Sequence, residues 1–167
     1  TSVMPSAAES YVAAFDELNT AEAPSGLKAL RRAAFERFEE LGFPTTKNED
    51  WHFTSVAPIV ERDFAPLTDH APSRVTAAQL APFTFGGTDW HTLVFVNGRF
   101  NASLSSVDGV PDGVRVLPLG RAYDELPLLV EQHVGRVASY DAHTFTALNT
   151  AFIDDGAVIH VAQDVEL

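Results

Sequence analysis

The sequence has no cysteine and little lysine. Without thiols the chain can form no disulfide bond, bind no metal through thiolate and use no cysteine nucleophile. Lys28 and Lys47 are the only lysines, and acidic residues outnumber basic ones by 23 to 11, which gives the formal net charge of -12. Such an acidic chain repels a phosphate backbone and an anionic membrane surface, so we expect neither nucleic acid nor a membrane as a partner.

Long apolar runs are also missing. No stretch approaches the roughly 18 consecutive apolar residues of a membrane span, and residues 1–5 have neither the basic flank nor the apolar run of a signal peptide. We therefore expect a cytoplasmic protein. Hydrophobic residues make up 46% of the 167 positions, which is enough for a core. At roughly 150 residues per domain, this length predicts one domain or two small ones.

Motifs for nucleotide binding, nucleophilic catalysis and metal binding are absent as well. Gly86-Gly87 lacks the following Lys and Ser or Thr of a P-loop, and no serine has the flanking glycines of a nucleophile elbow. No two histidines have the helical spacing that puts two imidazoles on one face. The six are His52, His70, His91, His133, His143 and His160.

Two neighbouring acids are the remaining candidates for catalysis. Asp154 and Asp155 stand directly before Gly156, where acidic residues are more typical of a turn than of an acid and base pair. The sequence therefore predicts a protein that is not an enzyme and that holds no metal or cofactor of its own. A small hydrolase that uses scattered Asp, Ser and His residues, such as Asp154 and His160, is the weakest alternative.

Helical spacing of apolar residues predicts two helices near the start of the chain. Ser6 and Glu9 form a capping box, and the pattern that follows predicts a first helix over 7–18. A second amphipathic helix is predicted over 27–41. The two should pack as an antiparallel pair that buries Phe15 against Phe35 or Phe38.

The rest of the chain mixes short helices and strands. Prolines make 57–87 a linker, in which Ser73 or Thr76 caps a short helix at 77–80. Asn97-Gly98 is the favoured type I′ turn of a hairpin. The elements predicted after the linker are hairpin strands at 92–96 and 99–104, a strand at 114–117, a helix over 123–134 ending near Gly135, a helix through Thr150 capped by Asp141 or Thr144, and a strand at 157–161.

Residues 41–58 join a helix stop to a turn that carries two large rings. Gly42 stands where a helix C-cap favours glycine, Pro44 prevents the helix from continuing, and Trp51 and Phe53 follow. Rings in such a segment usually pack onto the core, whereas rings exposed together indicate a docking patch. Trp51, His52 and Phe53 are therefore the candidate partner-docking residues.

The same segment resembles the N-terminal region of SufD, in the SufB/SufD family of iron-sulfur cluster assembly proteins. The family pattern is a Pro, a basic residue, one or two acids, Trp, a basic residue, an aromatic and Thr. His52 replaces the second basic residue, and the other places are filled by Pro44, Lys47, Glu49, Asp50, Trp51, Phe53 and Thr54. Two later stretches resemble the same family, in the order in which the family has them. Residues 95–100 resemble its hairpin, and residues 145–152 with 155–161 resemble the passage into its β-helical core.

The resemblance implies an α+β fold class. The expected chain has an N-terminal helical region (1–56), a Pro/Ala-rich linker (57–87) and a mixed α/β segment (88–167). This last segment leads from the hairpin and a further helix into the first strands of a right-handed parallel β-helix. Because family members are much longer, we expect this core to be truncated. A truncated β-helix leaves an unpaired strand edge, through which a homodimer could form.

The function implied by the resemblance is that of a non-catalytic scaffold subunit. The expected partners are SufB and SufC, with contacts mainly outside this sequence and with ATP hydrolysis in SufC. The iron-sulfur cluster belongs to the full complex. A free-standing protein-interaction module with a SufD-like N-terminal pattern is the alternative.

Overall fold

The structure is a computed structural model that describes residues 6–62, 64, 67, 74–84 and 90–166, with the side chains of helix residues 6–9 left out. The predicted capping box of Ser6 and Glu9, the alternative cap Ser73, His70 and Gly86-Gly87 lie outside the described residues or side chains. So does most of the predicted linker between Arg62 and Arg74.

Short elements dominate the described chain. The α-helices are α1 (Ser6–Thr20), α2 (Ser25–Leu41), α3 (Ala57–Val60), α4 (Ala77–Leu80), α5 (Leu119–Glu125), α6 (Pro127–His133) and α7 (Thr144–Ala151). The strands are β1 (Phe95–Val96), β2 (Arg99–Phe100), β3 (Val114–Pro118) and β4 (Ala157–Val161). Three 3-10 turns lie at Glu49–Trp51, Ala81–Phe83 and Ala102–Leu104.

The chain divides into two compact units. The first unit comprises the described parts of Thr1–Asp69 and Glu131–Ile153, and the second comprises those of His70–Val130 and Asp154–Leu167. Each unit therefore combines segments that are far apart in the sequence.

Aromatic rings and alanines form the core of the first unit. Phe15 on α1 stacks on Phe35 on α2 with ring centroids 4.1 Å apart, which confirms the predicted pairing of the two helices. Helix α2 also packs on α7, where Ala34 faces the buried Ala147 and Ala151 in the same cluster. Small side chains at this contact let the two helix backbones approach closely, and the rings fill the space around them.

Arg31 is a charged residue among the buried residues of α2, although the apolar spacing of that helix places it mostly on the polar side. Its side chain is 2% exposed, and its Nε donates a hydrogen bond of 2.7 Å to the carbonyl of Ile153, just after α7. A buried guanidinium is tolerated only where its donors are satisfied. The partner lies 122 residues away, so helical periodicity could not reveal it.

Two antiparallel two-stranded sheets form the second unit. In the first, β1 pairs with β2 through the predicted turn, and Asn97 (φ 53°) and Gly98 (φ 81°) both have the left-handed conformation of a type I′ turn. In the second, β3 pairs with β4 from Val114 opposite Val161 to Pro118 opposite Ala157. These are the only sheets in the part of the chain that the structure describes, and the parallel β-helix remains a prediction.

One acidic side chain ties the hairpin to β3 and β4. The carboxylate of Asp155 accepts hydrogen bonds from the backbone N–H groups of Phe100 (2.7 Å), Leu119 (3.2 Å) and Gly156 (2.8 Å). Asp154 pairs with Arg99 of β2 at 2.8 Å. Charge-assisted hydrogen bonds of this kind are stronger than neutral ones, so the two acids stabilise the unit.

Three predicted elements differ in the structure. The outgoing hairpin strand predicted over 92–96 covers only Phe95–Val96. The helix predicted over 123–134 is two helices, α5 and α6, because Pro127 has no N–H and displaces Leu126 from helical geometry (φ -135°, ψ 46°). The return strand predicted to Leu104 ends at Phe100, since the Asn101 side chain accepts a hydrogen bond from the Leu104 N–H and caps a 3-10 turn.

The predicted cap of the last helix is also wrong. Helix α7 begins at Thr144 after His143, which forms no side-chain cap. The Thr144 hydroxyl instead donates a hydrogen bond of 2.8 Å to the carbonyl of Gly42, and Asp141 accepts one from Ser139. In the short helix α4 the prediction is confirmed, because Thr76 and Gln79 form a capping box.

Candidate functional site

The segment between α2 and α3 is fixed at both of its ends. Gly42 ends α2 with φ 61°, and its N–H donates to the Phe38 carbonyl, as expected of a C-cap. The Asn48 side chain then accepts a hydrogen bond of 2.8 Å from the N–H of Thr45, which closes the turn before the 3-10 turn Glu49–Trp51. A short segment with its own hydrogen bonds thus presents the side chains of residues 49–53.

The two predicted docking rings lie in different environments. Trp51 is half-buried and packs on Phe145 of α7 with ring centroids 5.3 Å apart. Phe53 is 96% exposed. The sequence allows two interpretations, anchoring on the core or docking of a partner, and does not distinguish between the rings. In the structure the Trp51 ring fits the first interpretation and the Phe53 ring fits the second.

His52 lies between these rings in the sequence and contacts the exposed one. Its ring meets Phe53 edge to face with centroids 4.7 Å apart, and its Nδ1 lies 3.2 Å from the carbonyl oxygen of Thr46. A hydrogen bond there requires the proton on Nδ1, which leaves Nε2 as an acceptor in the neutral ring. His52 thus orients Phe53 and adds a polar atom to the surface.

A cavity of about 540 Å³ opens between this segment and the start of α7. Its walls combine apolar groups from both sides with two acids from the segment. The lining residues that define its chemistry are Leu41, Pro44, Glu49, Asp50, Trp51, His143 and Phe145. Pockets of roughly 300–1,000 Å³ with apolar walls and a few polar groups are typical of ligand and docking sites.

Two lining residues, His143 and Phe145, were not singled out as site residues from the sequence. They lie more than 90 positions after Trp51 and meet it only because α7 packs on α2. Phe145 does belong to a stretch that resembles the SufB/SufD family, and the first such stretch, with Trp51, contacts it directly. That shared resemblance is the one signal that connects them.

Asp154 and Asp155, the two acids considered as candidates for catalysis, are not arranged as a catalytic pair. Asp155 is hydrogen-bonded to three backbone N–H groups, and Asp154 forms an ion pair with Arg99. His160 lies on β4 opposite Arg115. These contacts match the turn interpretation and give the hydrolase alternative no support.

Among the residues that the structure describes, no three His, Asp or Glu side chains come together as a possible metal site. No described helix is long and apolar enough to span a membrane.

Comparison with known proteins identifies relatives. A family model described as the SufBD protein N-terminal region matches residues 6–167. An iron-sulfur cluster assembly SufBD family protein from Synechocystis is 25% identical over 139 residues. That alignment covers 82% of this chain and 29% of the relative, so the chain spans less than a third of the relative's length.

Proposed function

Because the chain belongs to the SufBD family, whose N-terminal region it matches, we propose that it acts as a SufD-like, non-catalytic scaffold subunit in iron-sulfur cluster assembly. The family match over residues 6–167 is the observation that carries the role in iron-sulfur cluster assembly, and the SufD-like pattern of residues 44–54 supports the finer assignment. The partners in the proposal are a SufB-like subunit and a SufC-like ATPase, and the cluster is the cargo of the complex.

Contacts between the three family-like stretches support a structural role for them. The stretch with Trp51 packs on the stretch with Phe145 in the first unit. In the second unit, Asp154 and Asp155 connect the stretch that opens β4 to the hairpin residues Arg99 and Phe100. Residues that hold backbone segments together in this way suit a scaffold, and they are not available for acid and base chemistry.

The sheet of β3 and β4 is antiparallel, so what it offers the proposed β-helical core is one apolar face and not the parallel pairing itself. Directly opposite residues of antiparallel strands share a face, so the register places six apolar residues on one side of this sheet: Val114, Val116, Pro118, Ala157, Ile159 and Val161. Ile159 and Val161 on that face are 57% and 39% exposed. In the proposal, further β-helical layers of the full-length protein cover this face and pair with the open edge of β4.

Co-purification tests the proposed function. The full-length gene product is co-expressed with the SufB-like and SufC-like proteins of the same organism and analysed by size-exclusion chromatography. We expect one complex that contains all three, and we expect ATP hydrolysis to require the SufC-like protein. Elution of the full-length product alone, with both partners present and folded, would rule the proposal out.

The same experiment separates SufD-like from SufB-like behaviour. A SufD-like subunit should join a complex that already contains the SufB-like protein. If the product instead replaces that protein and binds the ATPase without it, the SufB-like assignment is correct. The exposed Phe53 also suits a free-standing interaction module, and this second candidate function predicts binding to a protein outside the assembly complex.

A further inference from the structure

One short segment of the first unit, residues 49–53, both contributes to the cavity wall and carries Phe53, which is not itself a lining residue. Trp51 lines the cavity, His52 contacts the Phe53 ring, and Phe53 itself is 96% exposed. An aromatic side chain that is almost completely exposed contributes little to its own fold, and such side chains frequently mark docking surfaces. We call the cavity together with His52 and Phe53 the 49–53 surface.

The charge of this surface favours a cationic ligand. Glu49 and Asp50 line the cavity, and its lining includes no Lys or Arg. Neither carboxylate forms an ion pair with a residue in the described ranges. Lys47 is exposed nearby in the sequence but is not part of the lining. The formal net charge of -12 adds long-range attraction for a basic partner.

Aromatic faces and a helix terminus also contribute to the field in the cavity. Trp51 and Phe145 are wall residues, and the faces of such rings attract cations. The start of α7 opposes this effect, because a helix N-terminus carries a partial positive charge of about half a unit. Two full carboxylate charges outweigh it, so the balance remains in favour of a cation.

We propose that the 49–53 surface docks a segment of a partner protein in which an arginine stands beside an apolar side chain. The planar guanidinium can stack on an aromatic ring and donate paired hydrogen bonds to a carboxylate, which an ammonium group cannot do equally well. The neighbouring apolar side chain packs against Phe53. This proposal does not depend on the scaffold function.

Peptide binding tests the proposal with defined probes. The 167-residue chain is titrated with the blocked tripeptide Leu-Arg-Leu and with the same peptide carrying citrulline, which keeps the shape of arginine without its charge. We expect saturable NMR shifts at residues 49–53 and 143–146, with binding about tenfold weaker for citrulline. Added salt should weaken only the arginine peptide.

Three results of the peptide titration would overturn the proposal. They are equal binding of the arginine and citrulline peptides, absence of binding by both, and tighter binding of the matching Leu-Glu-Leu peptide. The last result would identify the start of α7 as an anion site instead. Self-association that Phe53→Ala abolishes would assign the surface to a second copy of this chain, again against the proposal.

Matched variants connect the binding to the named residues. The double substitution Glu49→Gln and Asp50→Asn should weaken the arginine peptide about tenfold, and Phe53→Ala should weaken it about fivefold. Val137→Ala removes another exposed apolar side chain of the same unit, 88% exposed, and should leave binding unchanged. Unchanged amide exchange in each variant shows that the fold is intact, and wild-type affinity in the first two would contradict the proposal.

Discussion

The two units of this protein are stabilised by different kinds of contact. In the first, aromatic rings and alanines pack between three helices, and the stacked pair Phe15 and Phe35 lies at the centre. In the second, short strands are connected by carboxylate hydrogen bonds from Asp155 and by the ion pair of Asp154 with Arg99. The first unit thus depends mainly on packed rings, and the second combines buried apolar side chains such as Leu117 and Leu119 with directed polar contacts.

This difference has a consequence for where variation is tolerated. Packing energy is distributed over many atom pairs, each of which contributes little. Removing a buried ring deletes many such pairs at once and leaves a cavity. A carboxylate that satisfies several backbone groups concentrates its contribution in one residue. The first unit should therefore respond mainly to changes in volume, and the second also to the removal of single polar atoms.

The largest expected effect is in the first unit, from Phe35→Ala. The ring is buried and stacked at 4.1 Å on Phe15, so its removal should lower the free energy of unfolding by about 3–5 kcal/mol. Trp51 reports on this unit, and Trp90→Phe removes the other tryptophan from the fluorescence signal. Denaturant unfolding followed through Trp51 measures the loss.

Val137→Ala is the control for that experiment. Val137 belongs to the same unit and is exposed, so its substitution should leave the midpoint nearly unchanged. Similar midpoints for Phe35→Ala and Val137→Ala would show that the ring cluster does not stabilise the unit.

A smaller effect is expected in the second unit, from Asp155→Ala. The N–H groups of Phe100 and Gly156 lose their carboxylate acceptor, whereas the N–H of Leu119 keeps the carbonyl of Gly156 at 2.8 Å. The expected cost is about 2–3 kcal/mol, because two half-buried donors are left unpaired and a charged acceptor is removed. Hydrogen exchange should show faster exchange at residues 95–100.

Two variants sharpen this result. Asp155→Asn retains one acceptor oxygen and should lose less stability than Asp155→Ala. Asp124→Ala removes an exposed acid from the interior of α5 and should have no such effect. Equal exchange rates in Asp155→Ala and Asp124→Ala would mean that the carboxylate does not hold the hairpin.

Local sequence signals predicted the elements whose determinants are close in the chain. Apolar spacing gave α1 and α2 to within two residues at each end. Asn97-Gly98 predicted the hairpin turn, and Thr76 with Gln79 capped the short helix α4. In each case the residues that decide the structure lie within a few positions of one another.

Contacts between distant residues were not predictable in the same way. Asp155 accepts from an N–H that lies 55 residues earlier, and Arg31 donates to a carbonyl 122 residues later. The different exposures of Trp51 and Phe53 depend on Phe145 of α7. Helical periodicity and turn chemistry carry no information about such pairs, so the cavity could be described only from the structure.

The smallest expected effect is a pH dependence confined to the first unit. Burial raises the pKa of Tyr11 above its ordinary value of 10.0, and its ring lies among Phe38, Phe43 and Phe152. The folded protein therefore holds this proton more tightly than the unfolded chain does. The resulting stability is complete below the unfolded pKa and is lost as pH rises through the folded pKa.

Tyr11→Phe removes this dependence without removing the ring. The free energy of unfolding of the wild-type chain, followed through Trp51 from roughly pH 9 to 11, should decline more steeply than that of the variant. The other two tyrosines, Tyr123 and Tyr140, are present in both proteins, so the difference between the two slopes isolates Tyr11. Identical slopes would mean that the hydroxyl is as well hydrated in the folded unit as in the unfolded chain, and the tyrosine would then belong to the surface of the ring cluster instead of its interior.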